Sequence, residues 1–431
     1  MSSSTPFCQA AEHKCRPHGR QGLRGVVTSV SMHDPPRLQA AAAPAGVALS
    51  AGRLLHLIRS ESGVTRAQLL ARTGMSRTTL TERLEQLTAA RLIRESRSTD
   101  PTGGRPAKII EFDAADKVVL TIDLGHTHAR VAAVSIAGVP LAATEIAVKG
   151  RSPSELVLAA LIKAAEEVLQ RCPGWEVVGI GFGVPAPVVQ EGQTHWDSSP
   201  MRGWSERLIS DTLQGRWPVP LVLENDARAL AIGEDSLMSS AESGVDILLA
   251  VKFGWGIGAG VVMDGHPLRG STGAAGDIGH TRVTRDGPRC RCGRRGCLAA
   301  YASGRAILRQ LRHRRVTSLS DVVTLLDRKD PEVTATVRRA GEAIGHVLGG
   351  LLACINPSVV VLGGLLGHHP LVVRSVRAEV KSSTLPRMIE RTSIQPSRLG
   401  EDAGTIGMAR LVVRSLYSPE AVDSRLKLLT E

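Results

Sequence analysis

Three cysteines fall within eight positions as Cys290-x-Cys292-x₄-Cys297, and His280 stands ten residues upstream of the first. Three thiolates and one imidazole make a closed tetrahedral zinc set. Gly287, Gly293 and Gly296 let a short loop wrap around an ion. Three thiolates with Zn²⁺ leave one net negative charge. Arg289, Arg291, Arg294 and Arg295 offset it and favour thiolate over thiol. No coordination position stays vacant, so the expected role of zinc at His280, Cys290, Cys292 and Cys297 is structural. The alternative is a coincidence of unrelated cysteines. The other four, at 8, 15, 172 and 354, bring the total to seven. An odd count with three thiols clustered suits a metal site in a reducing cytosol better than a disulfide framework.

A chain of 431 residues, 42% apolar and 22% charged, is too long for one core, and two or three folded units are expected. Val347 to Gly367 is a run of 21 residues without a charge, which length alone would allow to span a bilayer. Asn356-Pro357 in its middle disfavours a continuous helix, and Val359-Val360-Val361 reads as a buried strand. Helix, turn, strand is the expected parse. No apolar stretch long enough for a secretory signal precedes the alanines at 40 to 43, so a soluble cytoplasmic protein is expected.

The net charge of +12 acquires meaning only through its placement, since 44 of the 53 basic residues are Arg in an Ala- and Gly-rich chain. Residues 1 to 113 hold 16 Lys and Arg against 9 Asp and Glu, more than half of the surplus. That asymmetry favours an N-terminal module for a polyanion. Residues 1–48 are rich in Ser, Pro, Gly and Ala and are expected to form a disordered arm. From Ala51 the pattern is helical, with Leu54, Leu55, Leu57 and Ile58 on one face before Gly63. Thr65-Arg66-Ala67-Gln68 has the form of a capping box. Gly74 supplies a tight turn, and Ser76 caps a third helix carrying Leu80, Leu84 and Leu87. Two short helices joined at a glycine follow the helix-turn-helix plan.

The segment from Arg94 through Gly103-Gly104-Arg105-Pro106 to Phe112 looks like the hairpin of a winged helix, whose slim cationic tip suits a narrow minor groove. Residues 49–113 are therefore the expected DNA-binding domain. Arg77, Thr78 and Thr81 are its base-edge candidates and Arg105 its minor-groove candidate. Arg66 and Arg72 are assigned to phosphate or solvent. A generic three-helix bundle with a polar hairpin is the alternative.

From Lys117 strand-like runs alternate with Gly-rich turns and longer helical stretches, as in a mixed α/β body. The strand Val118–Leu124 leads through Gly125-His126-Thr127 into a second strand at Arg130–Ile136. Such hairpins can present N–H groups and a carboxylate to a phosphate-metal unit, or be plain turns. Gly254-Trp255-Gly256-Ile257-Gly258 follows the strand Ile247–Phe253, but the next segment reads as another strand. A dinucleotide fingerprint must instead lead into a helix, so that reading is disfavoured. Asp226, where the strand Leu221–Asn225 meets a helix, is either a general base toward a hydroxyl or only a helix N-cap.

Together these residues resemble the ROK family (repressor, open reading frame, kinase), bacterial sugar kinases and sugar-responsive repressors of the actin-like ATPase superfamily. The resemblance covers roughly residues 117–412. It rests on Asp123-Leu124-Gly125-His126-Thr127, Glu224-Asn225-Asp226-Ala227, Gly254-Trp255-Gly256-Ile257-Gly258, Ala275-Gly276-Asp277-Ile278-Gly279-His280, the cysteine cluster, and Asn356-Pro357 leading to Gly363-Gly364. It implies an α/β fold of two RNase H-like lobes over residues 114–431. The small lobe would take about 117–226 plus the C-terminal helix, and the large lobe about 227–409. It further implies sugar near Asn225, Asp226, Asp277 and His280, with Asp226 at the kinase base position and phosphate loops at Gly125 and Gly256.

The chain departs from the kinase pattern at four places. His126 stands for a glycine, Trp255 for a threonine, Asp277 for a glutamate, and Ala299 for a glutamate after the last cysteine. Positioning supplies most of phosphoryl-transfer catalysis, so such losses should be severe. The expected function is a sugar-responsive transcriptional regulator of the repressor type and not an enzyme. It would bind operator DNA as a homodimer or homotetramer and respond to a carbohydrate or sugar-phosphate effector. An active ATP-dependent sugar kinase that also binds DNA is the alternative, and DNA binding without any ligand is a third reading.

Overall fold

The computed structural model describes residues 49–61, 63–97, 108–148, 152–189, 203–239 and 246–429. The arm at 1–48 and the hairpin tip with Arg105 lie outside the described residues. Helix α1 (Ala51–Arg59) starts behind Ser50, whose hydroxyl accepts from the Arg53 N–H, and it buries Leu54, Leu55 and Ile58. A two-residue strand, β1 (Val64–Thr65), precedes α2 (Arg66–Thr73), which carries the expected Thr65–Gln68 capping box. Gly74 takes the left-handed conformation at φ 66°, and α3 (Arg77–Ala89) begins behind Ser76. Strands β2 (Ile93–Arg97) and β3 (Lys108–Phe112) pair antiparallel, and β1 joins the other edge of β3. Three helices against this small sheet have the winged-helix arrangement.

The body is two sheets of one topology. In the first, β4 (Lys117–Leu124), β5 (His128–Ser135) and β6 (Pro140–Ala147) form an antiparallel meander. After α4 (Ser154–Gln170), β7 (Glu176–Val184) returns parallel to β4, and after α5 (Glu206–Arg216), β8 (Leu221–Asn225) lies parallel to β7. The strand order is β6-β5-β4-β7-β8. Helix α6 (Asp226–Ser239) leads to the second sheet, where β9 (Ile247–Phe253), β10 (Ile257–Met263) and β11 (His266–Pro267) repeat the meander.

Helices α7 (Leu298–Ala302), α8 (Gly304–Gln310), α9 (Leu319–Asp327) and α10 (Pro331–Ile355) come before β12 (Val359–Gly363), which is parallel to β9. Then α11 (Gly364–Gly367), α12 (Pro370–Ser383) and α13 (Pro386–Ile389) precede β13 (Ser393–Pro396), parallel to β12. The order β11-β10-β9-β12-β13 duplicates the first sheet element for element. These are two RNase H-like lobes, the α/β architecture expected from the motifs.

The uncharged run divides as its proline requires. Helix α10 ends at Ile355, Asn356 turns left-handed at φ 48°, and β12 follows with every residue buried. Among the described residues no helix is long and apolar enough to cross a membrane. Between the lobes α6 packs on α14 (Ala403–Leu416). A Cβ at Gly407 would overlap the Ala229 carbonyl, so this contact is backbone against backbone.

The chain ends on its own beginning. Helix α15 (Pro419–Leu428) packs along α1, where the Gly52 N–H donates to Asp423 Oδ1 at 2.8 Å. Tyr417, 2% exposed, meets Phe112 of β3 edge to face with centroids 5.0 Å apart. The Arg59 guanidinium lies 5.1 Å from the Phe112 ring and 5.3 Å from the Tyr417 ring, and Arg59 Nη1 donates to the Tyr417 carbonyl at 3.1 Å. One buried cluster joins Leu54, Leu80 and Ile110 of the winged helix to Val119, Val134, Val412 and Val422 of the body. The N-terminal unit is thus part of a shared core.

Candidate ligand cleft and metal centre

The facing ends of the two sheets enclose a cleft of about 1110 Å³. On one side the β4–β5 turn is closed by the Gly125 N–H donating to the His128 carbonyl at 2.9 Å. On the other the β9–β10 turn carries Trp255, and the Gly304 and Arg305 N–H groups opening α8 hold the Gly254 and Trp255 carbonyls at 2.9 and 3.2 Å. Both glycine-rich turns are hairpins between strands, which accords with setting aside dinucleotide binding. His126, Trp255, Asn225, Asp226 and Asp277 all line the cleft. Burial, and after it the cations Arg291, Lys252 and Arg305, push His126 down to about 4, so this imidazole is neutral near pH 7.

The two readings of Asp226 separate in the structure. The cap of α6 is Asn225, whose Oδ1 accepts from the Ala227 and Arg228 N–H groups at 3.0 and 3.1 Å, while its Nδ2 donates to the Ala186 carbonyl at 3.1 Å. Asp226 is left to face the cleft, where Lys252 Nζ lies 3.1 Å from its Oδ2. The same ammonium donates to Asp123 Oδ1 and Oδ2 at 3.2 and 3.1 Å. Burial pushes the Asp226 carboxyl up against the pull of Lys252, and the Asp123 charge adds to the rise. For Lys252 burial acts downward, but the two carboxylates hold its ammonium above the ordinary lysine range.

Lys252 escaped the sequence reading. Its trace was a single charge in the apolar strand Ile247-Leu248-Leu249-Ala250-Val251-Lys252-Phe253, in a chain with nine lysines. A second buried set was also missed. Glu224, 0% exposed, accepts from Arg228 Nε at 2.8 Å and from Arg269 Nη2 at 2.7 Å. Arg228 donates onward to the Gly273 and Val188 carbonyls at 2.7 and 2.6 Å. A buried charge needs a full set of partners, and here that set pins the loop carrying Asp277 and the segment next to Ala186.

Beyond Asp277 a single 3₁₀ turn, Ile278–His280, brings His280 to the cysteines, with Nδ1 3.4 Å from Cys290 Sγ. Cys292 Sγ lies 3.7 Å from Cys297 Sγ, and the ligand atoms of His280, Cys290, Cys292 and Cys297 all fall within 4.8 Å of one another. Gly293 and Gly296 are left-handed at φ 89° and 73°, as wrapping requires. Gly287 serves differently: a Cβ there would press on Thr284 and Gly296. Burial and the neighbouring thiols push Cys297 up to about 12. Burial also opposes ionisation of Cys292, but the Arg294 N–H, the other thiols and the Arg294 charge hold it below the ordinary thiol value. Such a donor set can hold a metal ion, and a bound cation would reverse the penalty on Cys297.

On the winged helix Arg77 and Thr78 are exposed at the start of α3, and Thr81 is half-buried beneath Arg66 Nη1 at 3.4 Å. Arg66 also pairs with Glu95 at 3.0 Å, where Lys108 joins at 2.7 Å, and Arg72 pairs with Glu61. Arg66 and Arg72 thus have carboxylate partners within the protein, and Arg77 at the helix start is the more available cation.

The sequence profile described as "ROK family" matches residues 119–415. A xylose repressor of Bacillus spizizenii is 28% identical over 364 residues, covering 84% of this chain and 94% of the repressor. A ROK family transcriptional regulator described as a homologue of the E. coli MLC protein shares the fold at TM-score 0.71 and 24% identity, over 87% of this chain and 98% of that one. A ROK family glucokinase from Streptomyces griseus, solved with glucose and AMPPNP, aligns at TM-score 0.60 and 26% identity, over 68% and 98%.

Proposed function

This chain belongs to the ROK family, and from that premise we propose that it is a sugar-responsive DNA-binding transcriptional regulator of the repressor type. Its kinase-like cleft senses a carbohydrate without phosphorylating it. One observation carries this reading. The winged helix is built into the same core as the first lobe through Tyr417 and α15, so a change between the lobes has a route to α3. In this reading residues 49–113 bind operator DNA and residues 114–431 sense the effector. Arg77, Thr78 and Thr81 address base edges, and Arg105 the minor groove. The xylose repressor, matched along 94% of its length, supports the same assignment.

The effector lies against Asn225, Asp226 and Asp277, with His280 at the rear of the site. It must prefer one arrangement of the lobes by a few kcal/mol to shift their populations. The metal is zinc. Zn–S and Zn–N bonds of about 2.3 and 2.0–2.1 Å put tetrahedral donors roughly 3.8 Å apart for two sulfurs and roughly 3.6 Å for sulfur and nitrogen. The observed 3.7 and 3.4 Å agree. Zinc there supplies structural cross-linking, bracing the segment that leads from Asp277 to α7. The protein acts in the bacterial cytoplasm as a homodimer or homotetramer, pairing two winged helices on a partly palindromic site.

A sugar kinase that also binds DNA is the second reading, favoured by one observation: Asp226 is not consumed by capping and faces the cleft as a general base would. A thermal-shift screen of neutral sugars and sugar phosphates, with and without ATP, separates the two. At a hundred times its Kd a sugar stabilises the native state by about 2.7 kcal/mol. Such a shift is expected for at least one sugar, unchanged by ATP, and diminished in Asp277→Ala. A shift that needs ATP, with sustained ADP release above that of Asp226→Asn, would establish the kinase instead.

A further inference from the structure

The geometry points to Lys252 as a built-in cation that fills the electrostatic place of a divalent metal in the cleft, so that ligand recognition there is independent of metal and nucleotide. Two carboxylates converge on it. Asp123 ends β4 of the first lobe and Asp226 opens α6, and the ammonium arriving from β9 of the second lobe lies 3.1–3.2 Å from oxygens of both. A hard divalent ion needs carboxylate oxygens at about 2.0–2.1 Å for Mg²⁺ and keeps further oxygens around it. The ammonium already occupies both Asp123 oxygens and Asp226 Oδ2, so an ion placed between these carboxylates would meet a like charge in hydrogen-bond contact with each. The two carboxylates outweigh the burial that opposes the charge and keep the lysine protonated throughout the physiological range, so neutralisation by proton loss does not vacate the place.

The residues around it point the same way. A metal-nucleotide phosphate chain would have to enter between the β4–β5 and β9–β10 turns, where His126 and Trp255 stand. Bulky rings at both turns disfavour Mg·ATP in the cleft as this sequence builds it. Lys252 does a second thing that a diffusible ion could not do reversibly by itself. It is covalently part of one lobe and ion-paired to the other, so β4 and β9 are tied whether or not ligand is present.

The test is saturable Mn²⁺ binding to the full zinc-loaded chain, followed by electron paramagnetic resonance of free Mn²⁺, with neither DNA nor sugar present. Its outcome is thus separate from that of the regulatory reading. The wild type is expected to show no more binding than Asp226→Asn. Lys252→Ala is expected to gain at least tenfold in Mn²⁺ affinity, a gain absent from Lys252→Arg and abolished by adding Asp226→Asn. Wild-type binding that equals Lys252→Ala, or that falls in Asp226→Asn, overturns the proposal, as does a folded Lys252→Ala that gains nothing. Should Lys252→Ala not fold, wild type against Asp226→Asn decides alone.

Discussion

Cys297→Ser is expected to lose the metal and with it the shape of the loop from His280 to Cys297. Cys297 is 0% exposed, its carbonyl receives the N–H groups of Ala300 and Tyr301, and it bridges to Arg282. Backbone hydrogen bonds such as Cys290 N–H to the Arg294 carbonyl and Gly296 N–H to the Pro288 carbonyl shape this loop, but its apolar packing is slight. Its own buried cluster comprises Cys290, Cys297 and Ala300, two of them from the candidate donor set. Structural zinc binds small peptides with an apparent free energy of about 10–16 kcal/mol at neutral pH, and that binding is folding free energy. A loss on the order of 4 kcal/mol or more in the stability of the second lobe is the expected result, among the largest a single substitution gives. Zinc analysis and thermal unfolding check it: one zinc per wild-type chain, little in the variant, and a lowered midpoint. Cys354→Ser, an exposed cysteine apart from the cluster, should change neither. Unaltered zinc content in Cys297→Ser would remove that residue from the ligand set.

Tyr417→Ala is expected to separate the two halves of the function. The ring is buried between Phe112 and Arg59, at the point where α14 hands over to α15. Truncating a buried aromatic costs about 3–5 kcal/mol. Here the loss falls on the contact between winged helix and body. DNA affinity should persist, because α3 keeps its buried Leu80, Leu84 and Leu87 packed beside α1, while release by effector should be blunted. A spectroscopic readout comes with this residue. Burial pushes the Tyr417 hydroxyl up to about 12, above the ordinary value near 10. A raised folded-state pKa gives stability that is fully present below about pH 10 and is lost as pH rises toward 12. The chain has two tyrosines, so the late-ionising half of the phenolate absorbance reports whether this contact is made. If Tyr417→Ala still releases DNA normally on adding effector, the signal travels by another route.

What was legible in the sequence is what depends on neighbours in the chain. The Thr65–Gln68 capping box, the Gly74 turn, the Ser76 cap and the hairpin after Phe253 each follow from a few adjacent residues, and each is present. The proline that divided the uncharged run worked in the same way. The donor set of the candidate metal centre was readable because its four residues span only eighteen positions. The missed features all depend on distant partners. Strand β1 is two residues long and exists through its pairing with β3. Asp226 was undecided between cap and cleft because the answer lay with Asn225, whose amide reaches back to Ala186. Lys252 looked like a lone charge in a strand, since Asp123 and Asp226 meet it only when two sheets face each other. Tyr417 and Phe112 stand far apart in the chain, and no local pattern announces that the C-terminal helix packs on the first.

A DNA-binding unit coupled to a non-catalytic sugar cleft is testable in both parts by one titration. Full-length zinc-loaded protein is bound to labelled genomic duplex fragments that it has itself selected, with anisotropy followed as single neutral sugars are added without ATP. The expected result is salt-dependent binding, weakened in Arg77→Ala, and full release by one sugar that is recovered unmodified. Absence of selective DNA binding, or a sugar that releases DNA only with ATP and is recovered phosphorylated, would show that the protein is not a sugar-responsive regulator of this kind.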